Sequence, residues 1–123
     1  MLDYKKVINI VAQAIYDKKG FNILALDVRG FCSMTDYFII AEGNINRHLQ
    51  AIAESIDEDM SNEGHEIVRA EGHSACDWIV IDYFDIVIHL FTPSMREKYN
   101  FEHLWKDGKL IELDLNLTSC KDQ

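Results

Sequence analysis

The chain has 123 residues, of which 48% are hydrophobic, so it is long enough for one domain with a real core and too short for two. Its 21 acidic and 12 basic side chains give a net charge of −9. Because a negative surface repels phosphate, we expect little direct nucleic-acid binding, and a basic protein is the better-matched partner. The sequence has neither an apolar run of about eighteen residues nor a signal-peptide pattern, which predicts a cytoplasmic protein without a membrane segment.

The cysteines argue against a metal or redox centre. Cys32, Cys76 and Cys120 are odd in number and widely spaced, and no two of them form a Cys-x-x-Cys pair. This pattern predicts reduced thiols rather than a zinc site. We therefore predict no cofactor and no metal.

The first half of the chain predicts two helices and two strands. Residues 4 to 19 have apolar side chains at helical spacing, with Asp3 as the N-cap and Gly20 as a left-handed stop. Residues 23–28 and 37–41 are short apolar runs, close enough to pair as antiparallel strands. The next helix has Asn44 or Asn46 as its cap, an acidic solvent face, and Gly64 at its end. A weaker strand is predicted over residues 66–70.

The most apolar stretch runs from Asp77 to Phe91 and predicts a β-hairpin. Two β-branched runs, 79–81 and 86–88, flank a turn from Asp82 to Asp85. Both runs are nearly continuous rather than alternating, so we expect both of their faces to be covered. This hairpin is the predicted core of the sheet.

The end of the chain predicts one more helix and an extra strand. Thr92 and Pro93 have the polar cap and first-turn proline of a helix start. Residues 110–117 alternate apolar and polar, which indicates a strand at the edge of the chain's own sheet or, by exchange, of a second copy. The predicted fold is α/β (α+β), a mixed five-stranded sheet with helices packed on it. The predicted divisions are a domain over 1–109 and a tail over 110–123.

One candidate site is catalytic. Asp82, Asp85 and His89 lie on the two hairpin strands and their turn, where carboxylates and an imidazole can converge on a metal or act as general bases. The alternative is structural, since Asp is favoured in turns and a strand histidine among Ile and Leu is commonly a hydrogen-bonded core residue. A metal-dependent hydrolase or nucleotidyltransferase therefore stays open as the second hypothesis.

The other candidate site binds a partner. Trp78 is an indole at the start of a strand, a side chain that anchors interfaces, although it is also suited to the core. With Asp77 and Asp82 it forms the predicted patch, to which Asp85 is a further candidate. Asp36 and Arg47 complete the partner-binding candidates. The alternative for Asp36 is that it has no binding role and only closes its loop through backbone hydrogen bonds.

Several blocks of the sequence, in this order and spacing, resemble the ribosomal silencing factor family, also called the Iojap-like family. The resemblance covers residues 2 to 109. It implies a small α/β domain similar to the nucleotidyltransferase fold but without its activity. It also implies a protein that binds the large ribosomal subunit through the fourteenth large-subunit protein, blocks joining of the small subunit, and represses translation. The blocks are Thr35 to Asn44, Arg47-His48, Asp77 to Asp82, Asp85 to Phe91, and the group Arg96, Tyr99, Glu102 and Leu104-Trp105.

Two positions depart from the family pattern. Phe84 stands in the hairpin turn where the family usually has glycine, so the turn must avoid a positive φ or carry a bulky side chain at a cost of about 1 kcal/mol. Ile45 and Asn46 stand where the family commonly has serine or threonine. We therefore expect an asparagine to cap the second helix.

Overall fold

A computed structural model describes residues 4–29, 36–72, 77–83, 85–94 and 109–111 of the chain. Two helices and six strands lie in these ranges. The two helices and the first five strands correspond to predicted elements of the domain, and the sixth strand lies at the start of the predicted tail. In chain order they are α1 (Tyr4–Asp17), β1 (Phe21–Asp27), β2 (Tyr37–Glu42), α2 (Asn46–Asn62), β3 (Arg69–Glu71), β4 (Trp78–Asp82), β5 (Ile86–Phe91) and β6 (Lys109–Leu110). None of the helices in the described ranges is both long and apolar enough to cross a membrane.

The strands form one mixed sheet in the order β3-β4-β5-β2-β1-β6. Strands β2 and β5 run parallel at its centre, with Ile39 opposite Ile88, while every other pair is antiparallel. The predicted antiparallel pairing of β1 with β2 is confirmed, as is the hairpin formed by β4 and β5. The fold is therefore the predicted α+β class.

Helices α1 and α2 cover the same face of this sheet. Their apolar stripes meet alternate residues of the central strands in one core, in which side chains such as Ile15 and Ile52 are wholly buried. Each such aliphatic side chain contributes about 1.5–3 kcal/mol by leaving water. The strand residues in this core include Ile39, Ala41, Ile79, Ile81, Ile86, Ile88 and Leu90.

The opposite face of the sheet, called here the far face, carries the other alternate residues. On β4 the burial alternates, so that Ile79 and Ile81 are buried while Trp78, Val80 and Asp82 are only half-buried. The expectation that both faces of the hairpin strands are covered is met in full on the helix side of β4 and in part on its far face, where the side chains are half-buried. Four residues nearer the middle of the far face are fully buried in a second, smaller core: Leu26, Val28, Ile40 and Phe91.

The end of α1 differs from its prediction. The left-handed residue is Lys19, with φ of 66°, and not Gly20. Gly20 is required for a different reason, which is close packing: a Cβ there would lie 2.4 Å from Ile15 Cγ2 and 3.0 Å from the Ile15 carbonyl oxygen. The predicted N-cap at residue 3 lies outside the described residues.

Helix α2 begins without the predicted asparagine cap. Its N-cap is Ile45, which has no side chain to accept a hydrogen bond from the first turn. Its C-terminal end matches the sequence better, because Gly64 has φ of 86°. The amides of Gly64 and His65 donate to the carbonyls of Ser61 and Met60, the two bonds of a Schellman motif.

Strand β6 is the described part of the predicted edge strand. Leu110 lies opposite Leu26, and the Ile111 amide donates to the Ala25 carbonyl at 2.9 Å, so this segment pairs with β1 of its own sheet. Residues 112–117 lie outside the described residues, as do the three cysteines and Phe84. The predicted helix after Thr92 is helical at Pro93 and Ser94, and its remainder also lies outside them.

Candidate functional site

Four aromatic rings form a cluster on the far face: Phe38, Trp78, His89 and Phe91. Trp78 stacks on Phe91, with 5.4 Å between ring centroids, and lies 6.0 Å from the His89 ring at 29°. Phe38 meets His89 edge-on at 5.3 Å. The antiparallel pairing of β4 with β5 brings Trp78 to Phe91 and His89, and the parallel register of β2 and β5 adds Phe38, since alternate residues of neighbouring strands share a face. Phe91 is wholly buried, while Trp78 stays half-buried at the margin of the cluster.

The His89 ring is a hydrogen-bond acceptor within this cluster. The Trp78 indole N–H donates to its Nδ1 at 3.3 Å. Burial lowers the pKa of His89 to about 4, because the surrounding rings cannot solvate an imidazolium. At neutral pH the ring is therefore uncharged, with Nδ1 free of a proton and able to accept.

The acidic candidates lie at two ends of the sheet. Asp77 and Trp78 stand where β4 begins, and Asp82 where it ends, about 13 Å away along the strand. Asp85 and Asp36 are at the Asp82 end, because the Asp36 amide donates to the Asp85 carbonyl at 3.1 Å. The structure thus brings Asp36, Asp82 and Asp85 to one end and leaves Asp77 with Trp78 at the other.

Two of these acids have structural contacts of their own. The carboxylate of Asp82 lies 4.0 Å from the guanidinium of Arg69 on the neighbouring strand β3. The Asp36 carbonyl accepts from the Val28 amide at 2.9 Å, which is the loop-closing role that the sequence left open.

Arg47 lies at the Trp78 end of the sheet. The Gly43 amide donates to the Phe91 carbonyl at 2.9 Å, so the chain leaving β2 passes beside the strand position that pairs with Trp78. Helix α2 starts three residues later, and Arg47 is exposed in its first turn. The predicted partner-binding residues therefore form two groups, one around Trp78 and one around Asp85.

The hairpin acids and His89 do not come together as a metal site. Within the described ranges no three His, Cys, Asp or Glu side chains are close enough to hold an ion. His89 accepts from Trp78, and the Asp82 carboxylate faces Arg69. No observation on these residues favours the hydrolase or nucleotidyltransferase hypothesis.

Comparison with known proteins gives the family. The family model described as "Ribosomal silencing factor during starvation" matches residues 2–123, which extends the similarity beyond residue 109. The chain belongs to the ribosomal silencing factor family. It is 36% identical over 116 residues to ribosomal silencing factor RsfS of Bacillus subtilis, covering 94% of this chain and 98% of that one.

Two further relatives show the breadth of the ribosomal silencing factor family. A mouse protein named "Mitochondrial assembly of ribosomal large subunit protein 1" is 31% identical over 101 residues, covering 80% of this chain and 44% of the mouse protein. A crystal structure of a Chromobacterium violaceum protein superposes with a TM-score of 0.81 at 30% identity, covering 94% of this chain and 95% of that one. The family assignment confirms a protein of ribosome-related translation regulation.

Sequence reasoning missed part of the site of this silencing factor. Phe38 and Phe91 belong to the cluster, but they lie on strands whose parallel pairing no local pattern reveals. The sequence marks His48 only as part of a family block, yet its Nδ1 accepts from the Asn44 amide and its Nε2 lies 2.6 Å from the Lys18 carbonyl oxygen. The signal that could have pointed to Phe38 is its place in the β2 alternation, opposite the face of Ile39.

Proposed function

We propose that the protein binds the large ribosomal subunit through its fourteenth ribosomal protein, blocks association with the small subunit, and so represses translation in the cytoplasm. Membership of the ribosomal silencing factor family supports this. The name of the mouse relative, which refers to assembly of the large ribosomal subunit, supports the choice of subunit. Occlusion of a subunit interface requires no chemistry, so the proposed action is not enzymatic and uses no cofactor.

The half-buried indole of Trp78 is the observation that carries the proposal. Its ring stacks on Phe91 and its N–H bonds to His89, so the side chain is held in one orientation before any partner arrives. A rigid amphipathic ring of this kind costs little entropy to bind and is a typical centre of an interface. The described helices lie on the other face of the sheet, and the ring is half-buried on the far face.

The acidic candidates give the proposed partner its charge. Asp77 and Asp82, with Asp85 and Asp36, present carboxylates at both ends of β4, and the whole chain carries −9. A basic ribosomal protein complements this charge, whereas ribosomal RNA does not. Exposed Arg47 is the proposed cationic contact at the Trp78 end.

A homodimer is a further proposal, and it concerns the tail. Strand β6 pairs with β1 of its own sheet, and the same edge of a second copy offers the same backbone groups. Exchange of the 110–117 strand would then join two copies through the same strand pairing that exists within one chain. Light scattering of the free protein distinguishes pairing within one chain from exchange between two copies, because exchange predicts twice the monomer mass.

The test is a subunit-joining assay with purified subunits and this protein. We expect added protein to lower the joined fraction on a sucrose gradient and to sediment with large subunits alone. Trp78→Ala should weaken subunit binding about thirtyfold, which corresponds to about 2 kcal/mol. Trp78→Phe, which keeps the stacking on Phe91 without the indole N–H, should give an intermediate loss.

The matched control is Ile67→Ala, since Ile67 is half-buried and packs against the core on the helix side of the sheet. It should reduce stability but leave the affinity for subunits intact. An unchanged joined fraction at large excess of wild-type protein would refute the function. Normal binding by a folded Trp78→Ala protein, verified by circular dichroism, would remove Trp78 from the interface.

A further inference from the structure

The N-terminus of α2 displays an exposed aliphatic residue where a polar one is favoured. Ile45 is the N-cap and its side chain is 60% exposed. Among the described residues only Val68, at 62%, is another large hydrophobic side chain exposed to this degree. Isolated exposed apolar residues are common, so exposure alone would say little. Ile45 differs because it occupies the N-cap, where a polar side chain would accept a hydrogen bond from a first-turn amide.

This helix end is not built for helix stability. Serine, threonine, asparagine and aspartate are the side chains that satisfy first-turn amides, and isoleucine cannot. At the next position, the Asn46 Oδ1 accepts from the Gln50 side chain at 2.7 Å. The first turn contains no acidic residue and carries Arg47, a positive charge at the positive end of the helix dipole. The chain therefore gives up stability here, and a function at this place would explain why.

The backbone beneath Ile45 is rigidly held. The Gly43 amide donates to the Phe91 carbonyl at 2.9 Å, and the Asn44 amide donates to Nδ1 of His48 at 2.9 Å. The other ring nitrogen of His48 lies 2.6 Å from the Lys18 carbonyl oxygen, which ties this turn to the end of α1. An exposed side chain on such a fixed backbone is preorganised for binding, because little conformational entropy is lost on contact.

Ile45 also lies beside the Trp78 end of the sheet. Phe91 pairs with Trp78 on one side and bonds to Gly43 on the other. Ile45 follows Gly43 by two residues, so their Cα atoms are at most about 7 Å apart. A single partner that contacts the Trp78 ring can thus reach Ile45.

We propose that Ile45 is a second anchor of the interface, which docks into an apolar recess on the ribosomal protein that receives Trp78. This inference rests on the proposed function, since the same partner is the occupant. A protein surface offers such an aliphatic recess, whereas the phosphate backbone of RNA does not. The polar cap is absent because that position serves the partner rather than the helix.

The experiment measures thermal stability and large-subunit binding on the same full-length variants. Ile45→Ser restores a polar cap, and we expect it to raise Tm by about 4 °C and to weaken binding to purified large subunits about tenfold. Ile45→Val keeps the aliphatic contact and should match the wild type in both measurements. Val68→Ser removes the other exposed aliphatic and should leave subunit binding unchanged.

A higher Tm together with weaker subunit binding for Ile45→Ser would support the anchor, provided that Ile45→Val matches the wild type in both measurements. If the wild type binds and Ile45→Ser binds equally well, the anchor is refuted while the proposed function stands. A lower Tm in Ile45→Ser would also overturn it, because Ile45 would then stabilise the fold. Failure of the wild type itself to bind subunits would refute the proposed function, and with it the anchor.

Discussion

At the scale of single residues, His89 shows how a polar side chain is accommodated in an aromatic environment. Its Nδ1 accepts the indole N–H of Trp78, so one polar atom of each ring satisfies the other. Stacking on Phe91 and the edge contact with Phe38 cover the rest of the ring. The arrangement suits a neutral imidazole only, since protonation of Nδ1 would place two N–H groups against each other.

This geometry predicts how stability depends on pH. The pKa of His89 in the folded protein is about 4, below the ordinary value of 6.5, so the unfolded chain binds more protons between these two values. The free energy of unfolding should therefore fall as pH drops from about 6.5 to 4, by up to about 3 kcal/mol from this residue. Urea unfolding of the wild type at several pH values in this window measures the loss.

The matching variant is His89→Asn, which keeps an acceptor for Trp78 but cannot titrate. Its unfolding free energy at pH 7 can be lower than that of the wild type, but its decline below pH 6.5 should be shallower. His65→Gln is the control, because His65 lies after α2 and away from the aromatic cluster, and it should keep the wild-type slope. Equal slopes for the wild type and His89→Asn would show that the buried ring is not the cause.

At the scale of elements, the strands and their antiparallel hairpin pairs were predictable, and the parallel contact at the centre of the sheet was not. The β-branched runs of β2, β4 and β5 identify themselves locally, and the short turn after Asp82 makes β4 and β5 a hairpin. The parallel contact of β2 with β5 joins segments more than forty residues apart, and no local pattern encodes it. For this reason the place of Phe38 in the aromatic cluster could not be predicted from sequence, whereas Trp78, His89 and Phe91 lie on the predicted hairpin.

The prediction that both faces of the hairpin strands are covered is met only in part. Continuous apolar runs on β4 and β5 suggested helices on both sides, yet both described helices pack on one. On the far face, Phe91 belongs to the smaller core, while Val80 and Trp78 are half-buried. An apolar run thus indicates either a covered face or a face that binds, and sequence alone does not separate these two.

Two helix ends give a prediction about glycine. Gly20 needs to be glycine because a Cβ would strike Ile15, including its backbone oxygen at 3.0 Å, whereas Gly64 has open space and φ of 86°. Gly20→Ala should therefore cost about 2 kcal/mol through overpacking. Gly64→Asn should cost only a few tenths, since asparagine tolerates the left-handed region.

Chemical denaturation of both variants gives the comparison, with the wild type measured in parallel. Close packing predicts the larger loss of stability at Gly20, and the tolerated left-handed conformation predicts the smaller loss at Gly64. Equal losses for the two variants would mean that the close contact at Gly20 relaxes without cost, which would contradict the packing argument.

At the scale of the whole molecule, the two sides of the sheet differ in character. The helix side exposes the acidic face of α2, including Glu54, Asp57 and Glu58, while the far face carries the half-buried indole of Trp78. Opposite sides of one small domain can thus perform different tasks. Under the proposed function, we expect the acidic helix to attract a basic partner at long range and the aromatic face to make the contact.

This division predicts that salt acts on the rate of association. Raising the ionic strength from about 0.1 M to 1 M shortens the Debye length from about 10 Å to 3 Å, so the steering contributed by a net charge of −9 should fade. Association with purified large subunits should slow by about tenfold or more, with a smaller change in dissociation. Stopped-flow mixing at several salt concentrations measures both rates.

Matched charge variants separate long-range steering from a local contact. Asp77→Asn and Asp57→Asn remove the same charge, but Asp77 adjoins Trp78 whereas Asp57 is exposed on α2, on the other side of the sheet. A contact at the aromatic face predicts that Asp77→Asn slows association about threefold at low salt and that Asp57→Asn has a smaller effect. Equal slowing by both would indicate that only the total charge matters. Rates independent of salt and of both substitutions would show that electrostatic attraction does not guide this protein to its partner, and binding would then have to rest on the apolar contacts of Trp78.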